Sequence, residues 1–102
     1  FDLIIATSVF THTPFELQPL WIAEFARILR PGGISIVTVL DPNKMPADAR
    51  DQGWLETGNR RGIHMRTFLT EEKAAELWGT SLEFLDLRHH PGTQAHVIAR
   101  KP

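Results

Sequence analysis

Apolar residues fall along the chain in short blocks, and the spacing inside each block predicts its conformation. Asp2 to Thr7 reads DLIIAT, and the run Leu3, Ile4, Ile5, Ala6 is apolar on both faces, as in a strand covered on both sides. Ser8 to Thr13 is a short turn region. Thr13-Pro14-Phe15-Glu16 then combines three helix-start signals: Thr13 as the cap, Pro14 at the first helical position and Glu16 completing a capping box. The predicted helix places Leu17, Leu20, Trp21, Phe25, Ile28 and Leu29 on one stripe, with Glu24, Arg27 and Arg30 mostly off it. On that pattern Trp21 is a core residue. Arg30-Pro31-Gly32-Gly33 ends the helix, because Pro cannot continue it and Gly accepts positive φ.

Ile34 to Leu40, ISIVTVL, is rich in β-branched residues and predicts a second buried strand, ended by Asp41-Pro42-Asn43. Lys44 to Met65 is polar and glycine-containing with little periodicity, which predicts a long irregular excursion with a short helix near Ala47 to Gln52. Order returns at Thr67 to Leu69. Thr70 caps a short helix with Glu71 and Glu72 in its first turn; Ala74, Ala75, Leu77 and Trp78 are its apolar side and Gly79 its end. Leu82 to His89 and Gln94 to Arg100 predict two strands joined through Pro91-Gly92, and so short a connection makes them antiparallel. The first two strands and their crossover helix form a right-handed parallel βαβ unit. The class is α/β, a parallel βαβ unit followed by an antiparallel terminal hairpin.

The 102 residues make one domain at most. Eleven Lys and Arg against twelve Asp and Glu give no electrostatic case for nucleic acid or an anionic membrane. No apolar stretch is long enough to span a bilayer. The absence of cysteine excludes disulfides and thiolate metal sites. With no leader visible before Phe1, a cytoplasmic protein is the expectation. An opening directly on a strand leads us to expect a piece of a longer protein.

FDLIIATSVFTH, an amphipathic helix and then RILRPGGISIVTV closely resemble the middle of class I S-adenosylmethionine-dependent methyltransferases, with their Rossmann-like sheet. MRTFLTEEKAAELW resembles the family's late helix, and TQAHVIARKP its last strand. The resemblance covers essentially the whole chain, least securely Pro42 to His64, and implies the C-terminal half of that domain, residues 1–102. The family's glycine-rich turn and its ribose-binding acid have no counterpart here. The resemblance implies S-adenosylmethionine as cofactor and methyl transfer to a small-molecule acceptor by the longer protein, this chain alone being inactive. The alternative is a binding or structural module that retains the second half of the fold; a nicotinamide-dependent enzyme is disfavoured by the closing antiparallel strand.

Ligands of open α/β sheets bind at the C-terminal ends of the strands. By resemblance, Ala6, Thr7, Ser8 and Val9 would line the cofactor. His12 is the acid–base candidate of that loop, with a loop-ordering role as the competing reading. Asp41 would hold an acceptor hydroxyl or amine, or merely form the turn after its strand. By the same resemblance the excursion, with Trp54, Glu56, Asn59, Arg60, Arg61, His64 and Arg66, would cover the acceptor, His64 and Arg66 being the substrate-binding candidates, or it is simply a solvated loop. His89 and His90 are adjacent on a strand and would point to opposite faces, so no metal site is expected. Finally, Asp2 to Thr7 would be an edge strand with almost no protective charge, a template for self-association.

Overall fold

The first apolar block forms β1 (Leu3–Ala6) and the β-branched block forms β2 (Ile34–Leu40), with α1 (Gln18–Ile28) crossing between them. This is a computed structural model, and it describes residues 1–58, 65–90, 92 and 94–102. After β2 the chain makes two 3-10 turns, at Pro42–Lys44 and Ala47–Ala49. There follow β3 (Trp54–Thr57), β4 (Arg66–Leu69), α2 (Glu71–Trp78), β5 (Glu83–His89) and β6 (Gln94–Arg100). Four strands form one sheet in the order β1-β2-β6-β5. β1 and β2 are parallel, with Leu3 opposite Ile34 and Ala6 opposite Val37. β6 is antiparallel to β2, with Leu40 opposite Gln94, and β5 is antiparallel to β6.

One face of this sheet carries Ala6, Val37, Val39, Leu87, Ala95, Val97 and Ala99, all buried. They join Ile22, Phe25 and Leu29 of the α1 segment and Ala74, Leu77 and Trp78 of α2 in one core. Phe10, from the loop after β1, fills the centre, with ring centroids 5.7 Å from Phe25 and 5.3 Å from Trp78. Side chains of this size dominate core energetics through the area they remove from water. On the other face Leu3 and Ile5 are 50% and 63% exposed at the sheet edge.

The start of α1 differs from expectation. Thr13 and Pro14 are extended (ψ 127° and 140°), a 3-10 turn covers Phe15–Leu17, and the α-helix begins only at Gln18. Thr13 is therefore not a helix cap; its hydroxyl donates backward to the Val9 carbonyl at 2.8 Å. The inward stripe is Gln18, Ile22, Phe25 and Leu29, while Leu17, Leu20 and Trp21 are exposed. Trp21 is thus not core. Gln18 takes the inward position because its Nε2 donates to the carbonyls of Phe10 and Thr13, at 3.2 and 3.1 Å. Thr70 caps α2 as expected, accepting from the Lys73 N–H at 3.1 Å.

The excursion is not irregular throughout. β3 and β4 pair antiparallel as a second, two-stranded sheet, Trp54 opposite Leu69 and Thr57 opposite Arg66. Only the 3-10 turn at Ala47–Ala49 stands where a short helix is expected. Among the described residues no helix is long and apolar enough to cross a membrane.

The turn into β2 is clasped by both ends of the chain. Arg30 N–H donates to the Phe1 carbonyl (2.8 Å), Gly32 N–H to Lys101 (2.7 Å) and Lys101 N–H to Gly33 (2.9 Å). A Cβ on Gly33 would stand 2.9 Å from the Arg30 carbonyl oxygen and 3.0 Å from that of Phe1, both backbone atoms that cannot step aside cheaply. Gly33→Ala is expected to destabilise the fold by about 1–3 kcal/mol, read as a lower midpoint in urea unfolding; an unchanged midpoint would mean that the turn is looser than this packing implies.

Candidate functional site

The C-terminal ends of the parallel strands β1 and β2 define one edge of the sheet. β1 ends at buried Ala6, followed by exposed Thr7 and Ser8 and by Val9, which is 47% exposed. Ser8 has φ 59°, the left-handed region that a residue with a Cβ adopts only when its surroundings hold it there. Its hydroxyl lies 3.5 Å from Nε2 of Gln94, the first residue of β6. The loop then makes a 3-10 turn at Phe10–His12, whose buried Phe10 anchors it to the core.

His12 is exposed, and its Nδ1 lies 2.7 Å from the Met65 carbonyl. A carbonyl only accepts, so Nδ1 carries the proton and Nε2 of the neutral ring holds the lone pair. This bond serves the loop-ordering role weighed for His12 and leaves the second nitrogen for chemistry. Three further contacts fasten the β3–β4 hairpin to the same loop. Thr67 Oγ1 donates to the Thr13 carbonyl at 2.7 Å, and Phe15 N–H donates to Glu56 Oε1 at 2.7 Å. The Phe15 and Trp54 rings stack, with centroids 4.5 Å apart and planes 2° from parallel. Trp54 and Glu56 therefore serve the joint between hairpin and loop. Arg66 is exposed in β4, next to the Met65 that holds His12. His64, with Asn59, Arg60 and Arg61, lies outside the described residues.

Asp41 follows β2 and is buried. Its Oδ1 accepts from the Asn43 N–H at 2.9 Å, which is the turn-forming role, and also faces His89 Nδ1 at 3.1 Å. This partner is not legible from sequence spacing, since 48 positions separate the two residues. The neighbouring His90 instead meets His96, ring edge to face with centroids 4.4 Å apart. The two adjacent histidines thus have separate partners, His89 as the last residue of β5 and His90 just beyond it. A shallow concavity of about 420 Å3 lies elsewhere, lined by Arg50, Asp51, Glu72, Lys73 and Glu76 at the far end of the hairpin from Arg66. Its mixed charges select no ligand class.

No protein-family model matches the sequence, and no curated protein matches it significantly. Solved structures do match the fold. The 1,6-didemethyltoxoflavin-N1-methyltransferase of Burkholderia thailandensis, crystallised with 1,6-didemethyltoxoflavin and S-adenosylhomocysteine, aligns with TM-score 0.78 and 19% identity over 99% of this chain and 44% of its own. An S-adenosylmethionine-dependent methyltransferase of Methanosarcina mazei aligns with TM-score 0.71 and 18% identity over 99% of this chain and 59% of its own. An N-methyltransferase of Bradyrhizobium japonicum, in complex with S-adenosylhomocysteine, aligns with TM-score 0.62 and 18% identity over 100% of this chain and 46% of its own. The chain has the fold of part of these methyltransferases. It spans about half their length.

The Thr13 carbonyl receives both Gln18 and Thr67, so these two residues should be energetically coupled. Gln18→Leu is expected to cost about 1–3 kcal/mol, because it strips a buried donor from the Phe10 carbonyl. Thr67→Val should cost less, since Gln18 still serves Thr13. A double-mutant cycle by denaturant unfolding should give a non-additive term of about 0.5 kcal/mol or more; strict additivity would contradict the shared carbonyl.

Proposed function

We propose that this chain is the C-terminal half of an S-adenosylmethionine-dependent methyltransferase that acts on a small-molecule acceptor. What carries the reading is the alignment of nearly the whole chain, at TM-score 0.78, with part of a methyltransferase crystallised with S-adenosylhomocysteine and its acceptor. The cofactor, when bound, supplies an electrophilic methyl group on a sulfonium sulfur. The residues of the β1 edge fit one side of such a molecule: Ala6 is small, Ser8 turns the backbone away from the strand, and Val9 offers an exposed apolar surface. We assign Ala6, Thr7, Ser8 and Val9 to the cofactor side. Asp41, His64 and Arg66 we assign to the acceptor side.

His12 is the proposed base. Methyl transfer is an in-line displacement in which alignment supplies much of the acceleration, roughly 7–11 kcal/mol at best. An acceptor hydroxyl or amine must also lose a proton, and the Met65 carbonyl fixes the tautomer in which His12 Nε2 can take it. In the longer protein His12→Gln should lower kcat by about 10²–10⁴ with little change in KM; a kcat left unchanged would reduce His12 to its loop-ordering role.

The glycine-rich turn and the ribose-binding acid that the resemblance calls for are not in this sequence, so the chain alone should be inactive. It should bind S-adenosylmethionine weakly, because affinity depends on convergent, preorganised contacts. Calorimetry on the chain is expected to give no saturable heat at micromolar concentrations. A low-micromolar Kd would instead favour a complete binding module.

The same reading leaves Leu3 and Ile5 exposed on an edge strand. Self-association through Asp2 to Thr7 is the consequence we propose for the chain alone. Light scattering across a dilution series should show oligomers that Ile5→Lys disperses. Ile5 is the position to change, since Ile4 packs against the core; a monomer at every concentration would sink this part.

A further inference from the structure

The pair Asp41–His89 stands apart from the joint that holds loop and hairpin together. Asp41 completes its turn locally, its Oδ1 accepting from the Asn43 N–H and its carbonyl from the Lys44 N–H, both at 2.9 Å, so the turn does not require a histidine. The pair also lies at the ligand-binding edge. Leu40, just before Asp41, is opposite Gln94, and His89 is opposite Ala95. Gln94 in turn reaches the Ser8 hydroxyl that follows β1. The end of β5, the end of β2 and the start of the β1 loop therefore share one edge.

The two side chains differ in exposure in the way an acid–base pair requires. The Asp41 side chain is 9% exposed and that of His89 is 41% exposed, so the carboxylate sits inside and the ring reaches outward. The carboxylate accepts from Nδ1 at 3.1 Å, which puts the proton on Nδ1 and leaves Nε2 with the lone pair. A buried carboxylate behind an imidazole fixes its tautomer and stabilises the imidazolium formed when Nε2 takes up a proton. His89 is carried by the β5–β6 ladder, a firmer mount than a loop.

We propose that His89 is a second acid–base residue of this site, its Nε2 taking the proton from an acceptor hydroxyl or amine while Asp41 holds its Nδ1. The proposal rests on the methyl-transfer reading for its substrate. As the acceptor's lone pair forms the new bond to carbon, its O–H or N–H proton passes to Nε2, and the resulting imidazolium stays bonded to the Asp41 carboxylate. The acceptor gives up one proton, so His12 on the loop and His89 on the sheet are two recipients it can choose between, and the single variants tell which one takes it.

Two measurements on the chain test the nitrogen itself without S-adenosylmethionine. Long-range proton–nitrogen spectra of isotope-labelled histidine, at mildly alkaline pH, should show His89 with a protonated Nδ1 and a bare Nε2. Asp41→Ala should lose that preference; Asp41→Asn, which retains an acceptor oxygen and the shape of the turn, should keep it. Carbethoxylation by diethylpyrocarbonate, mapped by peptide mass, should modify His89 as readily as an exposed histidine peptide. A wild-type ring protonated on Nε2, or a His89 that resists the reagent, overturns the proposal. In the longer protein His89→Gln keeps an N–H donor for Asp41 and removes the base. It should lower kcat while leaving KM and the unfolding midpoint unchanged, and an unchanged kcat overturns the proposal. A longer protein inactive toward phenols, amines and heterocyclic N–H acceptors alike overturns the methyl-transfer reading instead, and the reactivity of Nε2 is still read from the chain.

Discussion

Much of the site hangs on one carbonyl group. The Thr13 oxygen accepts from Gln18 at the start of α1 and from Thr67 in β4, so loop, helix and hairpin meet at a single buried atom. Burying an amide is costly unless it is hydrogen-bonded. Gln18 meets that condition at Nε2, which serves two carbonyls of the loop at once, while its Oε1 is buried without a hydrogen-bond partner among the described residues. The consequence runs along the helix: with Gln18 inward, Ile22, Phe25 and Leu29 follow it into the core, and Leu17, Leu20 and Trp21 turn to the surface. It also runs along the loop, where His12 sits one residue before Thr13, held by the carbonyl of Met65, two residues before Thr67.

The strands were legible because their signal is local. ISIVTVL can scarcely be anything but a buried strand, and the short connection at Pro91-Gly92 makes its two flanking strands antiparallel. The topology then follows from the resemblance and from the handedness of βαβ units. The stripe of α1 was misread because apolar periodicity alone ranks Leu17 and Trp21 above a glutamine. What reversed that ranking is a pair of hydrogen bonds to a loop, which no hydrophobic pattern contains. The β3–β4 hairpin was missed for a related reason. WLET and RTFL are four-residue strands, too short for alternation to speak clearly.

The candidate site was legible only in part. Ala6 to Val9, His12 and Asp41 do lie at or beside one sheet edge, since each follows the end of a strand whose direction the sequence predicts. Their partners are long-range. Met65 is 53 positions from His12, and His89 is 48 positions from Asp41. Only the folded chain joins them. Within the excursion Trp54 and Glu56 contact Phe15, so the hairpin also braces the loop.

The central claim is that the β1 edge is the cofactor side of an incomplete methyltransferase site. Weak binding can still be located by nuclear magnetic resonance, by titrating the isotope-labelled chain with millimolar S-adenosylhomocysteine and following the backbone amides. The account predicts small, non-saturating shifts concentrated at Ala6, Thr7, Ser8 and Val9. Shifts confined to the concavity around Arg50 and Lys73, or none beyond those caused by an equal concentration of adenosine, would contradict it.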